Sequence, residues 1–202
     1  MIRAFLAVEL SQSLRTELAT VQQELKRSLG QQMQGGTRIS WVQPASIHLT
    51  IKFLGGINAQ MIDPLRAALE EAIGSQIAVT VPLERLGVFP HLQSPRLLWV
   101  GPSEKWEKGT DAKRVAEVHD AIEQVCEGLH FLRETRPFSP HLTLARIKMG
   151  ERHVGVALAN SRVLDRLLSL GSLVIESVVL MQSELKPTGS VYTKLWDVRL
   201  RG

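Results

Sequence analysis

One four-residue pattern occurs twice in this chain, as His48-Leu49-Thr50-Ile51 and again, 93 positions later, as His141-Leu142-Thr143-Leu144. Residues i and i+2 of a β-strand lie on the same face, so each copy would place an imidazole beside a hydroxyl. Histidine is the side chain that most readily gains or loses a proton near neutral pH. Two such strands, one from each half of the chain, favour a single site with a general acid and a general base.

Two histidines and two threonine hydroxyls suit metal-free cleavage of a cyclic phosphodiester. One neutral imidazole would take a proton from water as it attacks phosphorus, and one imidazolium would donate a proton to the departing ribose oxygen. The hydroxyls of Thr50 and Thr143 would bond the non-bridging oxygens, where charge grows in the transition state. On this interpretation His48 and His141 are the catalytic residues, and neither a metal nor a cofactor is required.

The sequence around the motifs disfavours other uses of the same residues. Zinc catalysis generally uses three protein ligands, and neither motif has a His-Glu-x-x-His, a cysteine pair or a carboxylate beside it. A serine nucleophile is disfavoured because no Gly-x-Ser-x-Gly occurs. A further alternative is that each imidazole is a half-buried sheet residue with a structural partner. Packing alone does not explain why histidine and threonine recur together.

Composition indicates a globular protein with a mildly basic surface. At 202 residues and 44% hydrophobic content, the chain can bury a sizeable interior. No stretch approaches the roughly 20 apolar residues of a membrane span, and the N-terminus lacks a signal-peptide pattern, so we expect a cytoplasmic protein. The net charge of +4 would suit an anionic substrate such as RNA. Cys126 is the single cysteine, which predicts a packing or surface thiol.

Hydrophobic periodicity predicts the elements that carry the motifs. Up to the third helix, the predicted order is a strand over 2–10, a helix over 14–30, a strand over 38–42, the first motif strand over 47–53, a helix over 62–73, and strands over 77–88 and 96–100. After a polar loop over 102–113, it is a helix over 115–129, the second motif strand over 141–147, a helix through 163–168, and strands over 173–185 and 191–200. Pro187-Thr188-Gly189 would separate the last two strands. No long linker divides the chain, so we expect a single α+β domain over 1–202. Its two similar lobes would line one central cleft with antiparallel sheets and carry their helices outside.

Strict alternation assigns side chains to the two faces of each motif strand. In the first copy, Lys52 would share the cleft face with His48 and Thr50, and Phe53 would be buried with the leucine. The alternative for Phe53 is that it stacks on an RNA base near the cleft. In the second copy, Ala145 would share the cleft face with the histidine and the threonine. Two tryptophans, Trp41 and Trp99, are interpreted as core or edge-strand packing. The remaining histidines, which have no duplicated context, are interpreted as surface or capping residues: His91, His119, His130 and His153.

Both motifs in their wider context resemble the 2H phosphoesterase superfamily, and more closely the bacterial and archaeal RNA 2′,3′-cyclic phosphodiesterases, historically called 2′-5′ RNA ligases. The residues that carry the resemblance are His48 to Gly55 and Pro137 to Arg146. Supporting matches span nearly the whole chain: Arg3 to Val8, Trp41-Val42, Gly87 to Pro90, Pro95 to Gly101, Ser183 to Leu185, and Tyr192.

The resemblance implies a bilobal fold with pseudo-twofold symmetry and metal-independent opening of a 2′,3′-cyclic phosphate on RNA to leave a 2′-phosphate. It also implies reversible 2′-5′ ligation of tRNA-like halves. We expect the protein to be a monomer. By position, His48 and His141 would be the acid/base pair, Thr50 and Thr143 phosphate ligands, and Arg146 a further substrate contact. Strict alternation turns Arg146 away from the histidine, so a bulge at the strand end would be needed.

Two other functions stay open from the sequence. One is a 2H-type phosphodiesterase for another substrate, such as a 2′-5′ oligoadenylate or a small cyclic nucleotide. The other is a module that binds RNA without turnover. Two intact His-x-Thr motifs disfavour the binding module, because binding alone needs no pair of proton-transfer groups.

Overall fold

The computed structural model describes residues 1–30, 36–186 and 189–202. The strands are β1 (Ile2–Val8), β2 (Arg38–Trp41), β3 (Leu49–Ile57), β4 (Val79–Pro82), β5 (Arg85–Phe89), β6 (Leu97–Gly101), β7 (Leu142–Met149), β8 (Ser172–Ile175), β9 (Ser177–Lys186) and β10 (Gly189–Arg199). The α-helices are α1 (Gln12–Gly30), α2 (Ile62–Ile73), α3 (Glu104–Glu107), α4 (Thr110–Gly128) and α5 (Glu151–Ser161). The turn expected at 187–189 lies largely outside the described residues.

The main sheet is antiparallel and places the two motif strands at its centre. Its strand order is β10-β9-β1-β3-β7-β6-β5, and β2 pairs with the outer part of β7. Strands β4 and β8 form a separate two-stranded sheet. The only pair in the β3–β7 ladder, within the described part of the chain, is Leu49 with Leu142. The two motif strands therefore touch at one point and diverge from it.

The helices cover one face of the main sheet. One apolar cluster contains side chains from four helices together with the leucines of both motifs. Amphipathic spacing explains the contribution of each helix, as in α1, where Leu14, Leu18 and Leu25 are buried on one stripe. A smaller cluster, with Phe5 and Met181, lies on the opposite face of the sheet. That opposite face stays open and carries the histidines.

The two halves of the chain repeat the same order of elements. Strand β1, helix α1, strand β3 and helix α2 in the first half correspond to β6, α4, β7 and α5 in the second. The strands that follow, β4 and β8, pair with each other. The expected α+β fold with two similar halves, antiparallel strands and outer helices is confirmed.

Two strands expected to be continuous are broken in the structure. The strand expected over 77–88 divides into β4 and β5, and the one expected over 173–185 divides into β8 and β9. In each case the first piece leaves the main sheet for the β4–β8 ladder, while the second piece stays in it. Alternation alone cannot detect this, because both pieces keep one apolar face.

Two other predicted elements were wrong. The helix expected through 163–168 is instead α5, and Arg162, with φ 53°, ends it in the left-handed region. Only one 3₁₀ turn follows, over Val163–Asp165. The loop expected over 102–113 contains α3 and the start of α4, because Ser103 caps α3 by accepting a hydrogen bond from the Trp106 amide. In the described residues, no helix combines the length and apolar character needed to span a bilayer.

Candidate active site

The contact between β3 and β7 places both motifs on one surface. Leu49 and Leu142 are paired and both point into the core, at 1% exposure each. His48 and His141 immediately precede these leucines, so both imidazoles project to the open face of the sheet. The antiparallel register sends the two strands away from this point in opposite directions. The histidines of the two halves are thus brought to the centre of one cleft.

Each motif strand has a β-bulge directly after its threonine. Against β1, a register shift makes Lys52 the partner of Leu6 and Thr50 the partner of Ala7, which leaves Ile51 as the extra residue. Against β6, the same shift leaves Leu144 as the extra residue between Thr143 and Ala145. A bulge of this kind puts two successive side chains on one face.

The bulges correct three expectations about side-chain direction. Lys52 and Ala145 are buried on the helix-covered face and do not share the cleft face with the histidines. Phe53 is 69% exposed and does not belong to the core. Arg146 is exposed on the open face, and the bulge that its expected role required is present. Phe53 and Arg146 occupy equivalent positions in the two copies.

His48 is held between a backbone carbonyl and two aromatic rings. Its Nδ1 lies 2.8 Å from the Ser46 carbonyl oxygen, and because a carbonyl can only accept, Nδ1 donates. The rings of Phe5 and Tyr192 lie 4.8 and 5.2 Å from the imidazole, and Tyr192 meets it edge-on. Phe5 comes from β1 and Tyr192 from β10, so other strands of the same sheet fix the ring plane.

His141 has the same arrangement with different side chains. Its Nδ1 donates to the Ser139 carbonyl oxygen at 2.8 Å. Phe89 meets the imidazole edge-on at 5.0 Å, and Trp99 lies 6.3 Å away. A Cβ on Gly87 would overlap the Trp99 ring, so glycine is needed there for the ring to lie over β5. Trp99 is buried at 7% exposure, as expected for packing.

The environment of each imidazole favours its neutral form. Burial lowers the pKa of His48 below its ordinary value, while the hydrogen bond to Ser46 opposes this and the positive charge of Arg146 adds to it. The pKa of His141 is lowered for the same reasons, with Ser139 as the opposing partner. Since Nδ1 carries the proton in each ring, Nε2 is the basic atom.

The remaining polar groups of the cleft are available to a ligand. Within the described residues, neither Thr50 nor Thr143 has a hydrogen-bond partner for its hydroxyl. Arg146 is exposed on the same open face, and its positive charge lowers the pKa of both histidines. No three His, Cys, Asp or Glu side chains of the described residues are grouped so as to hold a metal ion.

A buried ion pair supports the first motif from behind. The Lys52 ammonium lies 2.8 and 2.9 Å from the two carboxylate oxygens of Glu123 on α4, and it also donates to the Leu132 carbonyl at 2.8 Å. The Glu134 amide donates to the same carboxylate at 3.1 Å. Lys52 and Glu123 are 5% and 1% exposed. They therefore tie β3 to the segment that leads into His141.

His119, expected at the surface, is 8% exposed and belongs to this support. Its ring stacks on Phe138 at 4.3 Å, and its Nε2 lies 3.8 Å from Glu123. Burial lowers the pKa of His119, and the Glu123 carboxylate opposes this. The other three histidines, His91, His130 and His153, are exposed as expected. Cys126, nearby on α4, is buried, which raises the pKa of its thiol to about 12 and leaves it protonated.

A neutral amide supports the second motif in the corresponding place. Gln22 on α1 is 2% exposed and its Nε2 donates to the carbonyls of Val42 and Leu144, each at 2.8 Å. Leu144 is the extra residue of the second bulge, and its carbonyl also accepts from the Val42 amide at 2.9 Å. Each bulge is thus held by a polar side chain on the helix-covered side of the sheet.

Comparison with known families agrees with this geometry. The family model described as LigT like Phosphoesterase matches residues 8–99 and 109–192, which include both motifs and their bulges. The chain belongs to the LigT-like phosphoesterase family. Each matched segment contains one of the two His-x-Thr motifs.

Relatives of this LigT-like chain extend over nearly its full length. An RNA 2′,3′-cyclic phosphodiesterase of Aquifex aeolicus is 30% identical and covers 100% of this chain and 98% of its own. Its counterpart of the same name in Methanothermobacter thermautotrophicus is 28% identical over 98% of this chain and 99% of its own.

Solved structures share the LigT-like fold. The crystal structure of TT0787 from Thermus thermophilus has a TM-score of 0.71 at 26% identity, covering 100% of this chain and 99% of that one. The structure of E. coli LigT complexed with 3′-AMP has a TM-score of 0.73 at 20% identity, with the same coverage.

Sequence reasoning named five candidate site residues, which the structure brings to one open face, but it missed the side chains that support them. Among them, Phe5, Phe89 and Tyr192 were noticed only as parts of matching segments, without a role beside the histidines. Lys52 and Glu123 gave no signal, because their pairing joins positions 71 apart along the chain. The sequence carried one sign of the bulges, which is that each copy has a charged or aromatic side chain three residues after its threonine.

Proposed function

We propose that this protein hydrolyses RNA 2′,3′-cyclic phosphodiester ends to 2′-phosphomonoesters by a metal-independent, two-histidine mechanism. The observation that carries the proposal is the matched pair of imidazoles on one open face. Each imidazole is held through Nδ1, and Nε2 has no hydrogen-bond partner among the described residues. The full-length relatives named RNA 2′,3′-cyclic phosphodiesterases support the choice of substrate.

In this mechanism one Nε2 accepts a proton from water as the water oxygen forms a bond to phosphorus. The bond between phosphorus and the ribose 3′ oxygen breaks, and the second histidine, as imidazolium, donates its Nε2 proton to that oxygen. The product keeps phosphate on the 2′ oxygen. Since burial and Arg146 lower the pKa of both histidines in the free protein, the negative charge of the bound phosphodiester would help to protonate the acid.

The threonines and Arg146 act on the transition state. The hydroxyls of Thr50 and Thr143 donate to the non-bridging oxygens, on which negative charge increases as the fifth bond forms. The guanidinium of Arg146 contributes paired donors and a positive charge to the same oxygens. Phe53, exposed at the equivalent place in the first motif, supplies a face on which the terminal base can stack. One chain supplies all these groups, which supports activity as a monomer.

The same arrangement permits reversible ligation. A ribose 5′ hydroxyl can take the place of water as the attacking group on the cyclic phosphate. The 3′ oxygen leaves as before, and the product is a 2′-5′ linkage between two RNA fragments. Because the acid and base exchange protons in the same way, ligation and its reversal need no additional residues.

The decisive experiment uses an oligonucleotide with a 2′,3′-cyclic phosphate end in excess EDTA. We expect turnover to a 2′-phosphate product, identified by its retention against synthetic 2′- and 3′-phosphate standards. Loss of turnover in EDTA with recovery on adding a divalent cation would reject the metal-independent mechanism. Tight RNA binding with no product at any pH would indicate a binding module, and turnover of mononucleotides alone would indicate a different phosphodiesterase.

A further inference from the structure

Three cationic side chains lie together on the open face where β7 runs out from the cleft. Arg146 begins the set, and Lys148 follows two residues later, roughly 6.6 Å further along the strand. Ile147 between them is 6% exposed and points into the core, so its neighbours point outward. Arg38 lies on the adjoining strand β2, where it is the partner of Met149. We call Arg38, Arg146 and Lys148 the basic strip.

The basic strip carries uncompensated positive charge. In the part of the chain that the structure describes, no acidic side chain forms an ion pair with any of its three members. All three are exposed. Two other cations are paired instead: Arg133 with Glu127 at 3.3 Å, and Arg136 with Glu134 at 3.5 Å. Both pairs lie at the end of α4 and in the segment that follows it, which Lys52 of β3 contacts through the Leu132 carbonyl.

The two ends of the cleft therefore present different side chains. Because β3 and β7 are antiparallel, the path along β3 from Thr50 to Phe53 runs opposite to the path along β7 from Thr143 to Arg146. An exposed aromatic ring marks one end, and the basic strip marks the other. In a nucleotide with a cyclic phosphate, the base and the 5′ oxygen leave the ribose from different carbons. A nucleotide held at its cyclic phosphate can thus direct its base and its upstream chain to opposite ends.

We infer that the basic strip binds the backbone phosphates of the nucleotides that precede the reacting RNA end. This inference rests on the proposed function and adds a direction to it: the terminal base lies at the Phe53 end, and the upstream strand leaves over β7 and β2. Binding of this kind is electrostatic and independent of sequence, as expected for cations without a hydrogen-bonded cradle. The protein then prefers an oligonucleotide over a cyclic mononucleotide that carries the same reacting group.

The test compares Arg38→Ala/Lys148→Ala with Arg27→Ala/Lys113→Ala. The control pair removes the same charge from exposed positions of α1 and α4, on the helix-covered face. The substrates are a ten-residue RNA with a 2′,3′-cyclic phosphate and a 2′,3′-cyclic mononucleotide. Fluorescence anisotropy measures the affinity of each variant for the ten-residue RNA with a 2′-phosphate end. The salt concentration is varied from roughly 0.05 to 0.3 M, a range that brackets physiological ionic strength.

We expect the strip variant to lose about 10- to 25-fold in affinity and in kcat/KM for the oligonucleotide near 0.1 M salt, mostly through KM. The slope of log affinity against log salt should become shallower by roughly 1.4, since each lost phosphate contact on a single strand contributes about 0.7. The ratio of kcat/KM for oligonucleotide to that for mononucleotide should fall by about the same factor as the affinity. The control variant should match the wild type in all of these measurements.

Three outcomes would overturn the inference. They are an unchanged salt slope in the strip variant, an equal loss on both substrates, and an equal loss in the control variant. The binding measurement separates this inference from the proposed function. If the wild type turned over neither substrate, the proposed function would fail. The affinity and salt slope would still decide whether the strip contacts the RNA backbone.

Discussion

The two copies of the motif share their chemistry and differ in everything placed around it. In both, the imidazole Nδ1 donates to the carbonyl two residues earlier, a threonine follows, and a bulge comes next. Beyond the bulge the first copy exposes Phe53 and the second exposes Arg146. Behind it, the first copy has a buried ion pair and the second a buried amide. The shared part can transfer protons and bind a symmetrical group.

The differences between the copies give the cleft a direction. A phosphate has several equivalent oxygens, so two similar halves can hold it from two sides. The rest of a nucleotide is not symmetrical, because a base and a sugar–phosphate chain need different partners. An aromatic side chain in one half and a guanidinium in the other provide those partners. We therefore expect the residues that differ outside the His-x-Thr core to determine the orientation of the substrate.

The largest expected effect tests whether the two motif histidines act as one catalytic unit. His48→Ala and His141→Ala should each reduce kcat by about 10²- to 10⁴-fold on a cyclic-phosphate substrate, because each removes one proton transfer. The double variant should lose little more than either single variant, since the two groups act in one step. His153→Ala, at an exposed position of α5, is the matched control and should retain wild-type kcat. Near-full activity in either single variant would contradict the paired mechanism.

Most of the fold could be predicted from the sequence, since amphipathic stripes such as Leu14, Leu18 and Leu25 mark helices without tertiary information. The faces of the motif strands could not, because strict alternation does not include bulges. The expectation that Arg146 joins the site already required a bulge in the second copy. Transferring that bulge to the first copy through the internal repeat would have turned Phe53 outward and Lys52 inward.

The next largest effect concerns the supports behind the bulges. Glu123→Gln should reduce the free energy of unfolding by about 3–5 kcal/mol, because it leaves the Lys52 ammonium buried without a countercharge. Gln22→Leu should cost only about 1–3 kcal/mol, since the Leu144 carbonyl keeps its hydrogen bond from Val42. Urea unfolding measures both losses.

The double variant Lys52→Met/Glu123→Leu serves as the control for this comparison. It replaces the ion pair with apolar side chains of similar volume and should recover most of the stability lost in Glu123→Gln. A double variant as unstable as Glu123→Gln would show that the hydrogen bonds to the 132–134 segment, and not the buried charge, account for the loss.

A smaller expected effect distinguishes Arg146 from Phe53 by their influence on the pH dependence of kcat/KM. Arg146 lowers the pKa of both histidines, so Arg146→Gln should move both limbs of the kcat/KM profile to higher pH. It should also reduce kcat/KM by roughly 10- to 150-fold, the loss of a charge-assisted bond worth about 1.5–3 kcal/mol. Phe53→Leu should raise KM and leave both limbs in place, because it removes stacking and no charge. Unmoved limbs in Arg146→Gln would place its guanidinium away from the imidazoles.

The smallest effect is the contribution of the two motif histidines to stability at acidic pH. Their pKa values are lowered in the folded state, chiefly by burial, so below pH 6.5 the unfolded chain binds protons that the folded chain does not. The free energy of unfolding should therefore fall on acidification from pH 7, by at most about 1.4 kcal/mol per pH unit for each histidine. The pKa of His119 is also lowered by burial, so this residue adds to the same slope. Urea unfolding at pH 7, 6 and 5 should show a shallower slope in His48→Gln and His141→Gln, by similar amounts if the two halves bury their imidazoles equally. A slope that changes in only one variant would show that the two halves protect their histidines unequally.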